Sequence, residues 1–168
     1  MRRRVDISLA ELERVYRAEF RAFLRTATAY LGDADAARDA VQEGVANAIR
    51  NRGSYRGEGT VEAWLWKVVL NAIRSQHRER AHTLVLGDAP LDAVPAALSA
   101  NGHVPAETVR LAVRRLPERQ RLVLFLRFYA GMDYATIAAL LGVSEGTVGA
   151  SLSAARNTLR GLLGEVLA

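Results

Sequence analysis

The stretch DYATIAALLGVSEGTVGASLSAARNTLR, residues 133–160, decides the fold. Its apolar residues recur at helical spacing on both sides of Leu141-Gly142-Val143, so it reads as two helices joined by a tight turn. Counting Tyr134 as the first position of a helix-turn-helix, Ala138 is the fifth, Gly142 the ninth and Val148 the fifteenth. A small residue at 138 lets the helices approach, glycine at 142 permits the turn, and Val148 anchors the second helix to a core. Ser144 stands where its hydroxyl can cap that second helix. The positions expected to face solvent on it, Gly149, Ala150, Ser151, Ser153 and Ala154, carry no charge, which is unusual for a helix that reads DNA.

Immediately upstream, Pro105 suits the first turn of a helix running to Leu116, and another helix follows Pro117 with Leu122, Val123, Phe125, Leu126 and Tyr129 on its buried side. Before these lies AHTLVLGDAPLDAVPAALSANGHVPAET, which holds three of the four prolines plus Gly87 and Gly102. Such a segment resists long regular helix and reads as a flexible linker. Charge marks the same division. Residues 1–80 carry 15 basic and 11 acidic side chains, residues 81–108 carry three acids and no Arg or Lys, and residues 109–168 carry 8 basic and 4 acidic. Two basic blocks therefore flank an acidic connector.

In the first block, Leu9 to Tyr30 and Asp33 to Arg50 read as helices, with Gly32 the stop and Asp33 the next N-cap. RNRGSYRGEGT follows, and then a third helix from about Thr60, its cap, to Arg80. At about 100° per residue, Val61, Trp64, Leu65, Val68, Val69, Ala72 and Ile73 share one broad face. Lys67, Asn71, Arg74 and Arg78 form a narrow stripe opposite. That placement makes Trp64 a core residue and Trp66, at the margin, the candidate functional aromatic. Arg50, Arg52 and Arg56 beside Tyr55 make a basic loop with an aromatic, a combination suited to unstacked single-stranded nucleic acid. A solvated charged face is the alternative reading of the stripe, and packing on the bundle is the alternative for Tyr55.

Composition narrows the class. The chain has 168 residues, half of them hydrophobic, enough for one ordinary domain or two small ones. Its 23 basic against 18 acidic residues give a formal charge of +5, which favours a polyanionic partner, and Lys67 is the one lysine. There is no cysteine, which excludes disulfides and thiolate metal sites. His77, His82 and His103 lack acidic partners at ligand spacing, so no metal and no cofactor are expected. No nucleophile, base and oxyanion-donor set emerges, which argues against an enzyme. The N-terminal MRRRVDISLAELERVY has no apolar run after its arginines, and no stretch approaches a membrane span, so a cytoplasmic location without membrane insertion is expected. Nothing shows strand-type alternation, and the fold class is all-α: two small helical domains joined by the linker.

The order of these blocks resembles the extracytoplasmic-function sigma factors, of the sigma-70 family of bacterial RNA polymerase. AARDAVQEGVANAIRNRGSYRGEGTVEAWLWKVVLNAIRSQHRER is similar to the family's region 2, and RRLPERQRLVLFLRFYAGMDYATIAALLGVSEGTVGASLSAARNTLR to its region 4. The resemblance implies a region 2 helical bundle over residues 1–81, a linker over 82–104 and a region 4 helix-turn-helix over 105–168. It implies core RNA polymerase, through its β and β′ subunits, and promoter DNA as partners, with an anti-sigma factor or an activator as a further candidate. Asp39, Gln42 and Glu43 would contact the polymerase clamp. Arg52, Tyr55, Arg56, Trp66, Lys67, Asn71, Arg74 and Arg78 would hold and help melt the minus-10 element, with one base flipped from the stack. Ser144, Thr147, Gly149, Ser151, Ser153 and Arg156 would meet the minus-35 element. This chain departs from the family at Leu70 and Ser75. It departs further at Gly149, Ser151, Ser153 and Ala154, where basic or polar side chains are common, so weak, shape-dependent minus-35 binding is expected. Two other readings stand beside this one: a helix-turn-helix regulator working without polymerase, and a sigma-like protein whose region 4 mainly binds a protein partner.

Overall fold

A computed structural model of the chain describes residues 7–83 and 105–167. Among them are seven α-helices: α1 Leu9–Leu31, α2 Ala34–Arg50, α3 Val61–Thr83, α4 Ala106–Arg114, α5 Glu118–Phe128, α6 Tyr134–Leu141 and α7 Glu145–Leu167. A 3-10 turn, Arg52–Ser54, follows α2. The helices form two compact units, α1–α3 and α4–α7. The all-α expectation holds. Helix α3 runs two residues into the stretch read as linker, and the rest of that stretch, residues 84–104, lies outside the described residues together with His103.

Local chemistry sets most helix ends. Gly32 closes α1 in the left-handed region, φ 72°, and donates its N–H to the Thr28 carbonyl at 2.7 Å. Asp33 then opens α2, its carboxylate accepting from the N–H groups of Asp35 at 2.9 Å and Ala36 at 3.1 Å. The same carboxylate accepts from Arg80 of α3 at 2.8 Å, tying the far end of α3 to the α1–α2 turn. The Ala36 N–H, followed by the Arg80 guanidinium, holds the Asp33 carboxyl below the usual carboxylate range. Thr60 and Ser144 cap α3 and α7 through bonds of 3.1 Å from Ala63 and Thr147.

In the first unit the three helices pack on one another around Leu12, Phe23, Ala37, Val41, Leu65, Trp66, Val69 and Ile73. Trp66 is the largest buried side chain, its ring centroid 4.4 Å from that of Phe23 and its indole N–H donating to Glu19 at 3.1 Å. Helices α2 and α3 cross so closely at Gly44 that a Cβ there would lie 2.7 Å from the Cα of Val69. In the second unit α7 packs against α4, α5 and α6, and Ala138, Val148, Leu152 and Ala155 fill the helix-turn-helix core. Gly142, φ 67°, makes the turn as the spacing requires.

Candidate nucleic-acid interface

On α2, Ala36, Ala37, Ala40, Val41, Gly44 and Ala48 occupy the buried arc. Helical periodicity then turns Asp39, Gln42 and Glu43 outward, and all three are exposed. Glu43 pairs with Arg50 at 2.9 Å, and Arg50 also donates to Asn47 at 2.6 Å. Both charges are more than half exposed, so the pair adds little stability. Gln42, Val45 and Ile49 follow one another at i, i+3 and i+7 and so share a face. Val45 and Ile49 line an apolar groove with Leu9, Leu12, Glu13 and Tyr16 of α1. Leu9 is 54% exposed and Ile49 41%, so polar Asp39 and Gln42 run directly into an uncovered apolar surface.

The loop after α2 is shaped by Tyr55. Its ring is buried, stands edge-on to Trp64 at 6.0 Å, and its hydroxyl donates to the Gly59 carbonyl at 2.7 Å. The loop between Tyr55 and Thr60 turns through Gly57 at φ 74° and Gly59 at φ 79°, which leaves Arg56 projecting into solvent. Of the two readings of Tyr55, packing is the one this geometry matches, because a ring covered on the bundle and a hydroxyl engaged by Gly59 leave little to offer a flipped base. Arg52 is half-buried and reaches the Ile49 carbonyl at 3.4 Å.

On α3, Lys67, Asn71 and Arg78 are exposed on one stripe, and Arg74 beside them is half-buried. The packed face is rotated from its expected position: Leu65, Trp66, Val69, Leu70 and Ile73 are buried, whereas Val61, Trp64, Val68 and Ala72 are only half-buried. The assignment of Trp66 as a DNA-facing aromatic is therefore corrected, since Trp66 is 1% exposed and locked between Phe23 and Glu19. Trp64, read as core, is the tryptophan beside the loop. The physical reason is that α1 and α2 together cover α3 over an arc centred nearer Val69 than the apolar pattern alone indicates. Leu70, a departure from the family, belongs to that arc.

In the second unit, Val148, Leu152, Ala155 and Leu159 bury one side of α7. The line turned fully outward is Gly146, Ala150, Ser153, Asn157 and Arg160, with Ser144 at the start and Arg156 also exposed. Thr147, Gly149, Ser151 and Ala154 are half-buried on its flanks, which corrects the expectation that Gly149, Ser151 and Ala154 are outermost. Gly149 sits against a neighbour: a Cβ on it would lie 3.6 Å from Cε2 of Tyr134, the first residue of α6. Over the Tyr134 ring lies the Arg127 guanidinium, 5.9 Å from the centroid, with one nitrogen donating to the Met132 carbonyl at 2.8 Å. Neither residue stood among the sequence candidates, although an aromatic at the first helix-turn-helix position was a usable signal. Asp133 caps α6 by accepting from the Thr136 N–H at 2.7 Å, and the Thr136 hydroxyl and N–H hold its carboxyl below the usual range.

Among the described residues no three His, Cys, Asp or Glu side chains converge as a metal site, and no single helix is long and apolar enough to cross a membrane. Residues 15–83 match the family profile described as Sigma-70 region 2, and residues 106–159 match Sigma-70, region 4. The chain is 32% identical over 133 residues to the ECF RNA polymerase sigma factor EcfG of Rhodopseudomonas palustris, covering 79% of this chain and 74% of that one. It is 33% identical over 154 residues to the ECF RNA polymerase sigma factor SigM of Mycobacterium tuberculosis, covering 90% and 76%. Among solved structures it is similar to the sigma factor RpoE of Bartonella quintana in complex with the anti-sigma factor NepR. That match has TM-score 0.64 and 28% identity and covers 92% of this chain and 95% of that one. The fold also matches CnrH, solved with the cytosolic domain of CnrY, at TM-score 0.69 and 22% identity, over 94% and 90%.

Proposed function

The chain belongs to the extracytoplasmic-function sigma factors of the sigma-70 family, and from that premise we propose how its surfaces share the work of directing core RNA polymerase to promoters. Asp39, Gln42 and Glu43 on α2 bind the polymerase clamp, and the apolar groove that continues from Gln42 through Val45 and Ile49 extends the same contact. Residues 1–81 act on the minus-10 element through Arg56, Lys67, Asn71, Arg74 and Arg78. Arg52 and Tyr55 shape the loop that carries Arg56. Residues 105–168 meet the minus-35 element through Ser144, Thr147, Ser153 and Arg156 of α7, with residues 82–104 joining the two.

The observation that carries this reading is the conjunction, in family order, of an exposed polar α2 face, a basic α3 stripe and a formed helix-turn-helix. The stripe sits on a helix whose opposite side is fully buried, so its cations are held on a rigid element and meet phosphate at low entropic cost. The factor works by binding alone: it stabilises an opened strand already gripped by polymerase and performs no covalent chemistry, and it does so in the cytoplasm. Transcription reconstituted from core polymerase and the purified chain tests this. Promoter-specific transcripts that vanish when the chain is omitted are expected. Failure to associate with core polymerase, or initiation at no promoter, would sink the proposal.

The relatives solved with NepR and CnrY favour one addition. We propose that this chain, too, is held inactive by a protein that covers its polymerase-facing surface. Co-purification of a small partner that blocks core binding is the supporting result.

A further inference from the structure

We infer that Tyr134 and Arg127, which lie outside the recognition helix, supply the minus-35 DNA contacts that the outward line of α7 lacks, with Gly149 as the opening that lets them do so. This inference rests on the proposed role of region 4. The N-terminal half of α7 turns Gly146, Ala150 and Ser153 outward, and none of these is charged or long. Such a surface allows close approach to a groove but cannot hold a phosphate by charge or read a guanine bidentately.

The missing chemistry stands beside it. The Tyr134 ring lies along the helix at Gly149, at a distance where even a Cβ would make ordinary contact, and Tyr134 remains 36% exposed. A long side chain at 149 would lie across that ring, so glycine keeps its edge open. Tyr134 is also the first residue of α6, the helix that in a helix-turn-helix crosses the sugar-phosphate backbone. Its hydroxyl is therefore placed to donate to a phosphate while its ring edge borders the groove.

Arg127 is exposed and held rather than loose. Its bond to the Met132 carbonyl fixes the guanidinium near the ring face without consuming its charge or its remaining donors. One nearby group opposes an anion: the carboxylate of Asp133. That carboxylate is engaged by the Thr136 N–H and hydroxyl, and Arg127 lies close enough to offset part of its charge. The result is a cation and a hydroxyl donor on the rim of a bare helix. This arrangement favours phosphate positioning and shape readout over base-edge recognition.

The test uses the reconstituted holoenzyme on a promoter mapped by footprinting, with paired templates that differ only in an intact or scrambled minus-35 element. The readout is the ratio of transcripts from the two. Tyr134→Phe keeps the ring and its packing and removes the donor, and is expected to lower the ratio roughly threefold to fivefold. Arg127→Gln is expected to lower it about tenfold and to flatten the dependence of promoter binding on log salt by about 0.9, one phosphate contact. Gly161→Ala, on an exposed turn of α7 with nothing within 4 Å, serves as the neutral control. A minus-35-dependent wild type whose ratio survives both substitutions overturns this inference alone. A wild type indifferent to the minus-35 sequence overturns the region 4 role as well. A fall in the ratio that accompanies loss of the second unit's helical melting transition also counts against it.

Discussion

Gly44→Ala should weaken the first unit, although helix propensity argues the other way. Within α2 an alanine is favoured over glycine by about 1 kcal/mol. The new Cβ, however, would sit 2.7 Å from the Cα of Val69, 3.2 Å from its Cγ2 and 3.3 Å from its Cβ. The nearest of these atoms is backbone, which cannot swing aside. Carbon atoms rest at roughly 3.5–4.0 Å, so α2 and α3 must part by about 1 Å or tilt. Overpacking of this kind costs about 1–3 kcal/mol, leaving a net destabilisation of about 0–2 kcal/mol after the propensity gain. Gly53→Ala is the internal reference, because position 53 lies in the same unit, has nothing within 4 Å and has no positive φ. It should stabilise by about 0.4–1 kcal/mol through the unfolded chain. Both tryptophans, Trp64 and Trp66, lie in the first unit, so urea unfolding followed by their fluorescence reports on that unit alone. Gly44→Ala should lower the midpoint while Gly53→Ala raises it. If Gly44→Ala is as stabilising as Gly53→Ala, the close crossing of α2 and α3 described above is wrong.

The two tryptophans should separate cleanly: Trp66→Ala removes a buried ring and is expected to cost about 3–5 kcal/mol, whereas Trp64→Ala, at the half-buried margin, should cost far less, as thermal denaturation will show. Asp33→Ala loses an N-cap worth about 1 kcal/mol together with the Arg80 pair, while Asp33→Asn keeps a good cap and loses the pair. Because the folded Asp33 carboxyl is depressed below 3.8, its stabilising contribution is complete above that value and is lost as pH falls through the lower folded value. The fall in denaturation midpoint on acidification should accordingly be shallower in Asp33→Asn than in the wild type. Removing the charge of Lys67 or Arg78 should flatten the salt dependence of holoenzyme binding to a single-stranded minus-10 oligonucleotide by about 0.7 each. Asn71→Ala should weaken that binding without changing the slope, and unchanged slopes for the two charge variants would remove the stripe from the DNA path.

The candidate surfaces were legible in unequal measure. Lys67, Asn71 and Arg78 emerged on one exposed stripe because charged side chains cannot follow the apolar arc into a bundle, whatever its rotation. Asp39, Gln42 and Glu43 emerged outward for the same reason, since small residues claim the opposite side of α2. Tyr55, Trp66 and Gly149 were harder, because each is amphipathic or featureless, and its role depends on which neighbour lies against it.

What the sequence by itself determined is where each helix begins and ends. Gly32, Asp33, Thr60, Gly142 and Ser144 act through bonds within about four residues, and each occupies the turn or cap its type demands. The two-block division followed equally from local composition, because an acidic, proline-bearing stretch cannot continue a basic amphipathic helix. Only the tertiary structure decided the rotation of α3, which buries Trp66 rather than Trp64, and the seating of Tyr134 beside Gly149. Apolar periodicity specifies a face to within a turn of side chains. The exact arc is chosen by the two helices that pack on it, through steric contacts such as Gly44 on Val69 that link residues far apart in the chain.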